Sequence, residues 1–187
     1  MKHLITGGSG FVGNFVARRL WERGEQVRIL DIWDDPSRPK DIEYVVCSIL
    51  NPAGVAQAMQ GIDVVHHHAA LVAQTRAGKQ YWAVNVEGSR MVAEAAAKAG
   101  VQAMLHTSST AVFGIPPNHG PITHATPTRP VEPYGRSKLA GEQITEAICT
   151  QHGIPLITIR PRAILGSGRL GIFQILFQWI KENRVST

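Results

Sequence analysis

Six short apolar runs alternate with longer stretches in which apolar residues return every three to four positions, and this alternation sets the expected fold. Lys2 to Thr6, Gln26 to Asp31, Ile42 to Cys47, Ile62 to Ala70, Gln102 to Ser108 and Pro155 to Pro161 read as strands. Helical periodicity occupies Phe11 to about Arg23, Asn51-Pro52 to about Gln60, Ala77 to Ala99 (stopped by Gly100) and Tyr134 to about His152. A last apolar helix is expected from about Leu170 to Lys181. Strands alternating with helices imply an α/β fold with a parallel, doubly wound sheet in the order 3-2-1-4-5-6. Between Ile115 and Pro133 six prolines, Pro116, Pro117, Pro121, Pro127, Pro130 and Pro133, mark an irregular loop, and a loop this long in a compact domain is usually functional.

Composition narrows the picture without changing it. A chain of 187 residues with 44% hydrophobic and 18% charged residues suits one globular domain with a proper core. The net charge of +5 comes from scattered Lys and Arg, with no basic run, so a phosphorylated small molecule is expected rather than nucleic acid. Cys47 and Cys149 are too few for a disulfide framework and lack metal spacing, which suggests a reducing cytoplasm. No apolar run approaches the ~18 residues of a membrane span, and the glycines arrive too early for a signal peptide.

The first turn carries the strongest chemistry. Thr6-Gly7-Gly8-Ser9-Gly10-Phe11-Val12-Gly13 joins a strand to a helix, the setting of a dinucleotide-phosphate site in a Rossmann-type fold. Two spacings fit: Gly8, Gly10 and Gly13 give G-x-G-x-x-G, and Gly7, Gly10 and Gly13 give G-x-x-G-x-x-G. The helix N-terminus adds unpaired N–H donors facing a pyrophosphate. Asp31, at the end of the second strand, suits a grip on ribose hydroxyls and repels a 2′-phosphate, favouring NAD over NADP, although Arg28 and Arg38 are nearby. His66, His67 and His68 invite a metal reading. Strand neighbours point to opposite faces, however, and no Cys or acid lies at ligand spacing, so no metal is expected. Ala69-Ala70 would let a cofactor lie against the backbone. Asn85 is either an exposed polar residue or part of the site.

The hydroxyl cluster Thr107-Ser108-Ser109-Thr110 falls at the carboxyl end of a strand, where ligands of doubly wound sheets bind. Tyr134 and Lys138, four apart, share a helix face. A lysine ammonium beside a tyrosine favours the phenolate and lets the tyrosine act as a base.

These residues resemble the extended short-chain dehydrogenase/reductases, the NAD-dependent epimerase/dehydratase family. The likeness runs through T-G-G-S-G-F-V-G, Asp31, D-V-V-H-H-H-A-A (Asp63 to Ala70), Asn85 in N-V-E-G-S, T-S-S-T-A-V-F-G (Thr107 to Gly114), P-Y-G-R-S-K (Pro133 to Lys138) and R-P-R-A-I-L-G (Arg160 to Gly166). The resemblance implies Ser109, Tyr134 and Lys138 as catalytic residues, with Asn85 ordering the lysine. For NAD it implies a site made by Gly7, Gly10, Phe11, Val12, Gly13, Asp31, Ser48, Ile49, Ala69, Ala70, Tyr134, Lys138 and Pro161. It also implies a small-molecule substrate and a homodimer paired through the helices around Asn85 and after Tyr134, with Ala93 to Ala99 small enough for such an interface or for core packing. Residues 1–165 would form the NAD-binding domain, and 166–187 the start of a substrate-binding portion that is mostly absent.

Three departures bear on the reaction. Thr110 and Ala111 stand where sugar-nucleotide dehydratases of the family carry an Asp-Glu pair, so 4,6-dehydration is not expected. Ser48 replaces the usual Asp beside adenine, and Ala163 replaces the Asn of many nucleotide-sugar enzymes. The expected function is hydride transfer at a secondary alcohol carbon, first as a nucleotide-sugar epimerase. The alternatives are a 3-beta-hydroxysteroid-type or other alcohol dehydrogenase, and a non-catalytic NAD-sensing protein.

Overall fold

The Val-, Ile- and Leu-rich runs form the strands. In the computed structural model, which describes residues 1–75, 77–115, 121–123, 125–166, 173–182 and 184, they are β1 (Lys2–Thr6), β2 (Gln26–Asp31), β3 (Glu43–Val46), β4 (Val64–His67), β5 (Ala103–Thr107) and β6 (Leu156–Ile159). All pair in parallel in the order β3-β2-β1-β4-β5-β6, the expected order. Such a sheet puts the carboxyl ends of all six strands on one edge, with the order reversing between β1 and β4, where a crevice opens.

Around the sheet lie α1 (Phe11–Glu22), α2 (Pro52–Ala58), α4 (Ser89–Ala99), α5 (Pro133–Gln151) and α6 (Phe173–Lys181). Asn51 caps α2 by accepting the Gly54 N–H (3.2 Å), and Pro133 begins α5, where its missing donor has no helical partner to lose. Leu4, Leu30, Val65 and Met104 pack on the α2–α4–α5 side, and Ile5, Val27 and Ile29 pack with Ala17 of α1 on the other. Ala93 and Ala96 are fully buried in the first of these clusters, so this small-residue stripe serves the chain's own core.

The helix expected from Ala77 starts later and is not uniform. Gly78 takes φ +54° and ends the preceding turn, so α3 (Gln80–Trp82) begins two residues on. A π-helical turn, Ala83–Gly88, then joins it to α4. The widened turn aims the Asn85 carbonyl at the Ser89 hydroxyl, which donates to it (2.8 Å). α5 presses on the same carbonyl through Gly141, where a Cβ would lie 2.1 Å from the oxygen. Part of the proline loop (116–120 and 124), Ser167 and Gly168 of the expected turn, and Leu170 at the expected start of the last helix lie outside the described residues.

The three histidines alternate across the sheet. His66 meets His3 (3.1 Å) and stacks with His68, while His67 faces the other way and is held by the Thr6 hydroxyl (2.7 Å) and Ser89 Oγ (2.9 Å). Burial pulls His67 down to about 3, with the charges of Lys138 and His68 acting the same way. Burial likewise takes His66 and His68 to about 4. These rings are neutral when folded and protonated at pH 5 when unfolded, so the unfolded chain binds more protons there. Their contribution to stability is complete above about pH 6.5 and is lost as pH falls toward 4. The urea midpoint is therefore expected to fall between pH 7 and 5, with His67 alone costing about 2 kcal/mol by pH 5. A flat midpoint over that interval would refute the burial argument.

Candidate functional site

The glycine turn after β1 lies at the switch point of the sheet. Gly7 donates its N–H to the Leu30 carbonyl (2.9 Å) and takes φ +70°, and a Cβ there would lie 2.7 Å from the Ala69 nitrogen. A Cβ on Gly13 would lie 2.2 Å from the Gly7 carbonyl oxygen, so α1 can approach β1 this closely only without one. Gly7, Gly10, Phe11, Val12 and Gly13 all face a cavity of about 600 Å³. Gly8 does not; its Cα packs on the Ile29 side chain. Of the two spacings, G-x-x-G-x-x-G is thus the one that faces the cavity.

Asp31 forms the next part of the wall. Its carboxylate accepts the N–H groups of Ser9 (3.0 Å) and Ile32 (2.7 Å), which fixes both oxygens beside the glycine turn. The Trp33 carbonyl accepts the hydroxyls of Ser9 and Tyr44 and ties the segment after β2 to the same turn. Ser48 and Ile49 follow β3, and Ser48 Oγ accepts the Leu50 N–H (3.2 Å).

The far wall comes from the ends of β4, β5 and β6 and from the start of α5. Ala69, Ala70, Ser109, Tyr134, Lys138 and Pro161 all line it. Lys138 is 3% exposed, and its ammonium donates to the Thr107 carbonyl (2.7 Å). Desolvation lowers it to about 8, opposed by the carboxylate of Glu142, so it is mostly charged at pH 7. The Tyr134 ring lies 5.8 Å from that of Tyr81. Ser109 Oγ accepts the Ala111 N–H (3.2 Å) at the head of a 3-10 turn, Thr110–Phe113. Gly135 lets α5 lie against this turn, since a Cβ there would meet the Ala111 oxygen at 2.5 Å.

Asn85 is neither exposed nor in the cavity wall. It is 1% exposed and grips the Leu71 backbone from both sides, accepting its N–H (2.8 Å) and donating to its carbonyl (3.1 Å). It also donates to Ser137 Oγ (3.0 Å), which in turn donates to the Tyr134 carbonyl (2.8 Å). Asn85 thus reaches the lysine's helix one residue before Lys138.

Several wall residues were not singled out as site residues: Trp33, Cys47, His68 and Arg162, together with Ser108, which was read only as part of the hydroxyl cluster. His68 and Ser108 directly precede residues that were expected there, and only the twist of the strand ends decides that they face the cavity. Their atoms also show whether a dinucleotide fits. Among the described residues His68 Nε2 and Ser108 Oγ are buried with no hydrogen-bond partner, and the Lys138 ammonium, with three donors, has only the Thr107 carbonyl. A polyhydroxylated ligand such as a nucleoside ribose satisfies donors and acceptors of this kind. Among the described residues no group of three or more His, Cys, Asp or Glu side chains is placed to hold a metal ion.

Known proteins resemble this chain in sequence and fold. The family model for the NAD dependent epimerase/dehydratase family matches residues 3–182. A 3-beta-hydroxysteroid dehydrogenase of Mycolicibacterium neoaurum is 34% identical over 97% of this chain and 52% of its own length. A UDP-glucose 4-epimerase of Streptomyces lividans is 31% identical over 90% of this chain and 54% of its own. Among solved structures, a short-chain dehydrogenase/reductase superfamily protein of Agrobacterium tumefaciens with bound NAD superposes with a TM-score of 0.79 at 31% identity, covering 86% of this chain and 48% of that one. The chain spans about half the length of the curated relatives it matches. From its parallel sheet in the order 3-2-1-4-5-6, its glycine turn and a family match over nearly all its length, the chain belongs to the NAD-dependent epimerase/dehydratase family.

Proposed function

We propose that this chain is the cofactor-binding and catalytic portion of an NAD-dependent oxidoreductase or isomerase that works at a secondary alcohol carbon, in the first reading a nucleotide-sugar 4-epimerase. The observation that carries the proposal is that one cavity is lined both by the glycine turn with Asp31 and by Ser109, Tyr134 and Lys138. Asp31 would hold the adenosine ribose hydroxyls, the Gly7–Gly10–Gly13 turn the pyrophosphate, and Lys138 the nicotinamide ribose. Bound NAD supplies the acceptor, and in epimerisation the donor, of a hydride. The residues supply the proton chemistry: Tyr134 takes the proton of the substrate hydroxyl, Lys138 stabilises the phenolate, and Ser109 donates to the same oxygen. Asn85 keeps the start of α5 and the segment after β4 in register through Ser137 and Leu71.

A second reading is favoured by the apolar part of the cavity lining, which includes Leu71, Val72, Ala163, Ile164 and Leu165. A flat apolar alcohol of the hydroxysteroid kind suits such a wall, and a hydroxysteroid dehydrogenase is among the relatives. A protein that only senses NAD would have no use for both Tyr134 and Lys138. In either catalytic reading, residues 1–165 are the NAD-binding portion and 166–187 open the substrate-binding portion. Among the described residues no helix is long and apolar enough to cross a membrane. With Cys47 and Cys149 both free, a cytoplasmic setting suits the chain. Pairing into a homodimer would use the outer faces of α4 and α5, because Ala93 and Ala96 are committed to the core.

Calorimetric titration tests the cofactor half of this reading: NAD is expected to bind saturably at one site per chain, and more tightly than NADP. Asp31→Ala is expected to weaken NAD by about tenfold, as two charge-assisted hydrogen bonds are lost, and to narrow its lead over NADP. An unchanged NAD-to-NADP ratio would remove Asp31 from its assigned role.

A further inference from the structure

We infer that Asp34 is a second determinant of cofactor choice: by clamping Arg38 it withholds from a 2′-phosphate a cation carried on the segment that follows Asp31. The inference rests on the dinucleotide reading of the cavity. A 2′-phosphorylated nucleotide is accommodated where an arginine meets the phosphate near the end of the second strand, and rejected where carboxylates stand there. Here three acids, Asp31, Asp34 and Asp35, follow one another closely at that strand end.

The two nearby arginines are both engaged. Arg18 donates to Asn14 Oδ1 (2.6 Å), to the Ser37 carbonyl (2.7 Å) and to the Ser37 hydroxyl (3.0 Å), and it lies 3.8 Å from Asp35. Arg38 is held more completely. Its Nε and Nη2 donate to the two oxygens of Asp34 (2.7 and 3.0 Å), and Nη1 donates to the Ile42 carbonyl (2.7 Å). The guanidinium also sits over the Tyr44 ring, 5.2 Å from its centroid. Tyr44 in turn reaches Ser9 and the Trp33 carbonyl, and its hydroxyl lies in the fields of Asp31, Asp34 and Arg38 together. Arg38 is thus held on the segment that follows β2, beside Tyr44, with its fork turned onto Asp34. A planar fork that holds a carboxylate in two bonds can hold a phosphate in the same way, but not both at once.

Asp34 is consequently a positioning residue. Its hydrogen bonds to Nε and Nη2 of Arg38 remove the group that would attract a 2′-phosphate. Arg28, the other cation noted near this strand, is bound to Glu43 and to the carbonyls of Ala58 and Gln60, so it does not share the role.

The test titrates the parent chain and its Asp31→Ser, Asp34→Asn, Asp31→Ser/Asp34→Asn and Asp31→Ser/Asp34→Asn/Arg38→Ala variants with NAD and with NADP. Asp34→Asn is expected to leave NAD affinity within about twofold, because no NAD contact is assigned to it. NADP affinity is expected to rise about tenfold from Asp31→Ser to the double variant, and to weaken in high salt. Adding Arg38→Ala is expected to return it to the Asp31→Ser level, whereas Asp34→Glu should keep the parent's preference. Equal NADP affinity in Asp31→Ser and the double variant, or a gain that survives Arg38→Ala, would overturn the inference. Asp34→Ser serves as a second variant should Asp34→Asn fail to fold. A parent chain that binds no NAD would overturn the site reading itself and this inference with it; a parent that binds NAD without the NADP gain overturns the inference alone.

Discussion

Tyr134→Phe is expected to lower turnover by about a thousandfold or more while NAD affinity stays within about twofold. The ring is retained, so its packing beside Tyr81 at 5.8 Å and the start of α5 should survive. What is lost is the one ionisable hydroxyl that the account assigns to the substrate proton. Lys138 cannot take over, because it is buried, donates to the Thr107 carbonyl and is mostly a cation at pH 7. Turnover should accordingly fall as a loss in kcat rather than a rise in KM. Retained full activity would sink the mechanism, and loss of NAD binding would mean that Tyr134 is structural.

Gly13→Ala should carry the largest effect on binding. A Cβ at this position would lie 2.2 Å from the Gly7 carbonyl oxygen and 2.8 Å from the Gly8 Cα, and both are backbone atoms that cannot rotate away. Either α1 shifts outward or the turn opens. The first costs packing against β1 and β2, and the second reshapes the turn proposed to hold the pyrophosphate. A loss of about 2–4 kcal/mol in stability and about a hundredfold in NAD affinity is expected, read by urea unfolding and by titration. Gly24→Ala is the matched control: Gly24 has φ +81° but open space around it, so that substitution should cost stability and leave NAD affinity alone. Equal NAD affinity in the Gly13→Ala variant and the parent would show that the close approach does not matter to the site.

The fold was legible because its signals were local. Each strand is a brief apolar run, and parallel order follows from their alternation with helices, as the register from Lys2↔Gln26 to Thr107↔Ile159 bears out. Boundaries were less so. Gly78 in a left-handed turn delayed the third helix, and nothing in its periodicity marked the π turn at Asn85, whose carbonyl meets α5 at Gly141, some fifty residues away in sequence. The glycine turn shows the same limit: two spacings fitted the sequence, and only the contact between Gly8 and Ile29 separated the packing glycine from those that face the cavity. The expected cofactor residues do share one cavity, whereas Trp33 and Cys47 belong to its wall through the course of the chain in space rather than through any motif. The clamp between Asp34 and Arg38 was hidden for a related reason. Charges four apart suggest a pair only on a helix, and this segment is an irregular turn.

Following NADH absorbance at 340 nm together with sugar configuration, in the longest gene product that carries this chain, tests the central claim most directly. With NAD and a panel of UDP-sugars and hydroxysteroids, one UDP-sugar is expected to invert at a single carbinol carbon with no lasting NADH. NADH that accumulates with a steroid or other secondary alcohol would keep the hydride-transfer site and replace the epimerase reading by the dehydrogenase one. No inversion and no NADH with any member of the panel, from a protein that binds NAD, would contradict the claim that Ser109, Tyr134 and Lys138 work on an alcohol.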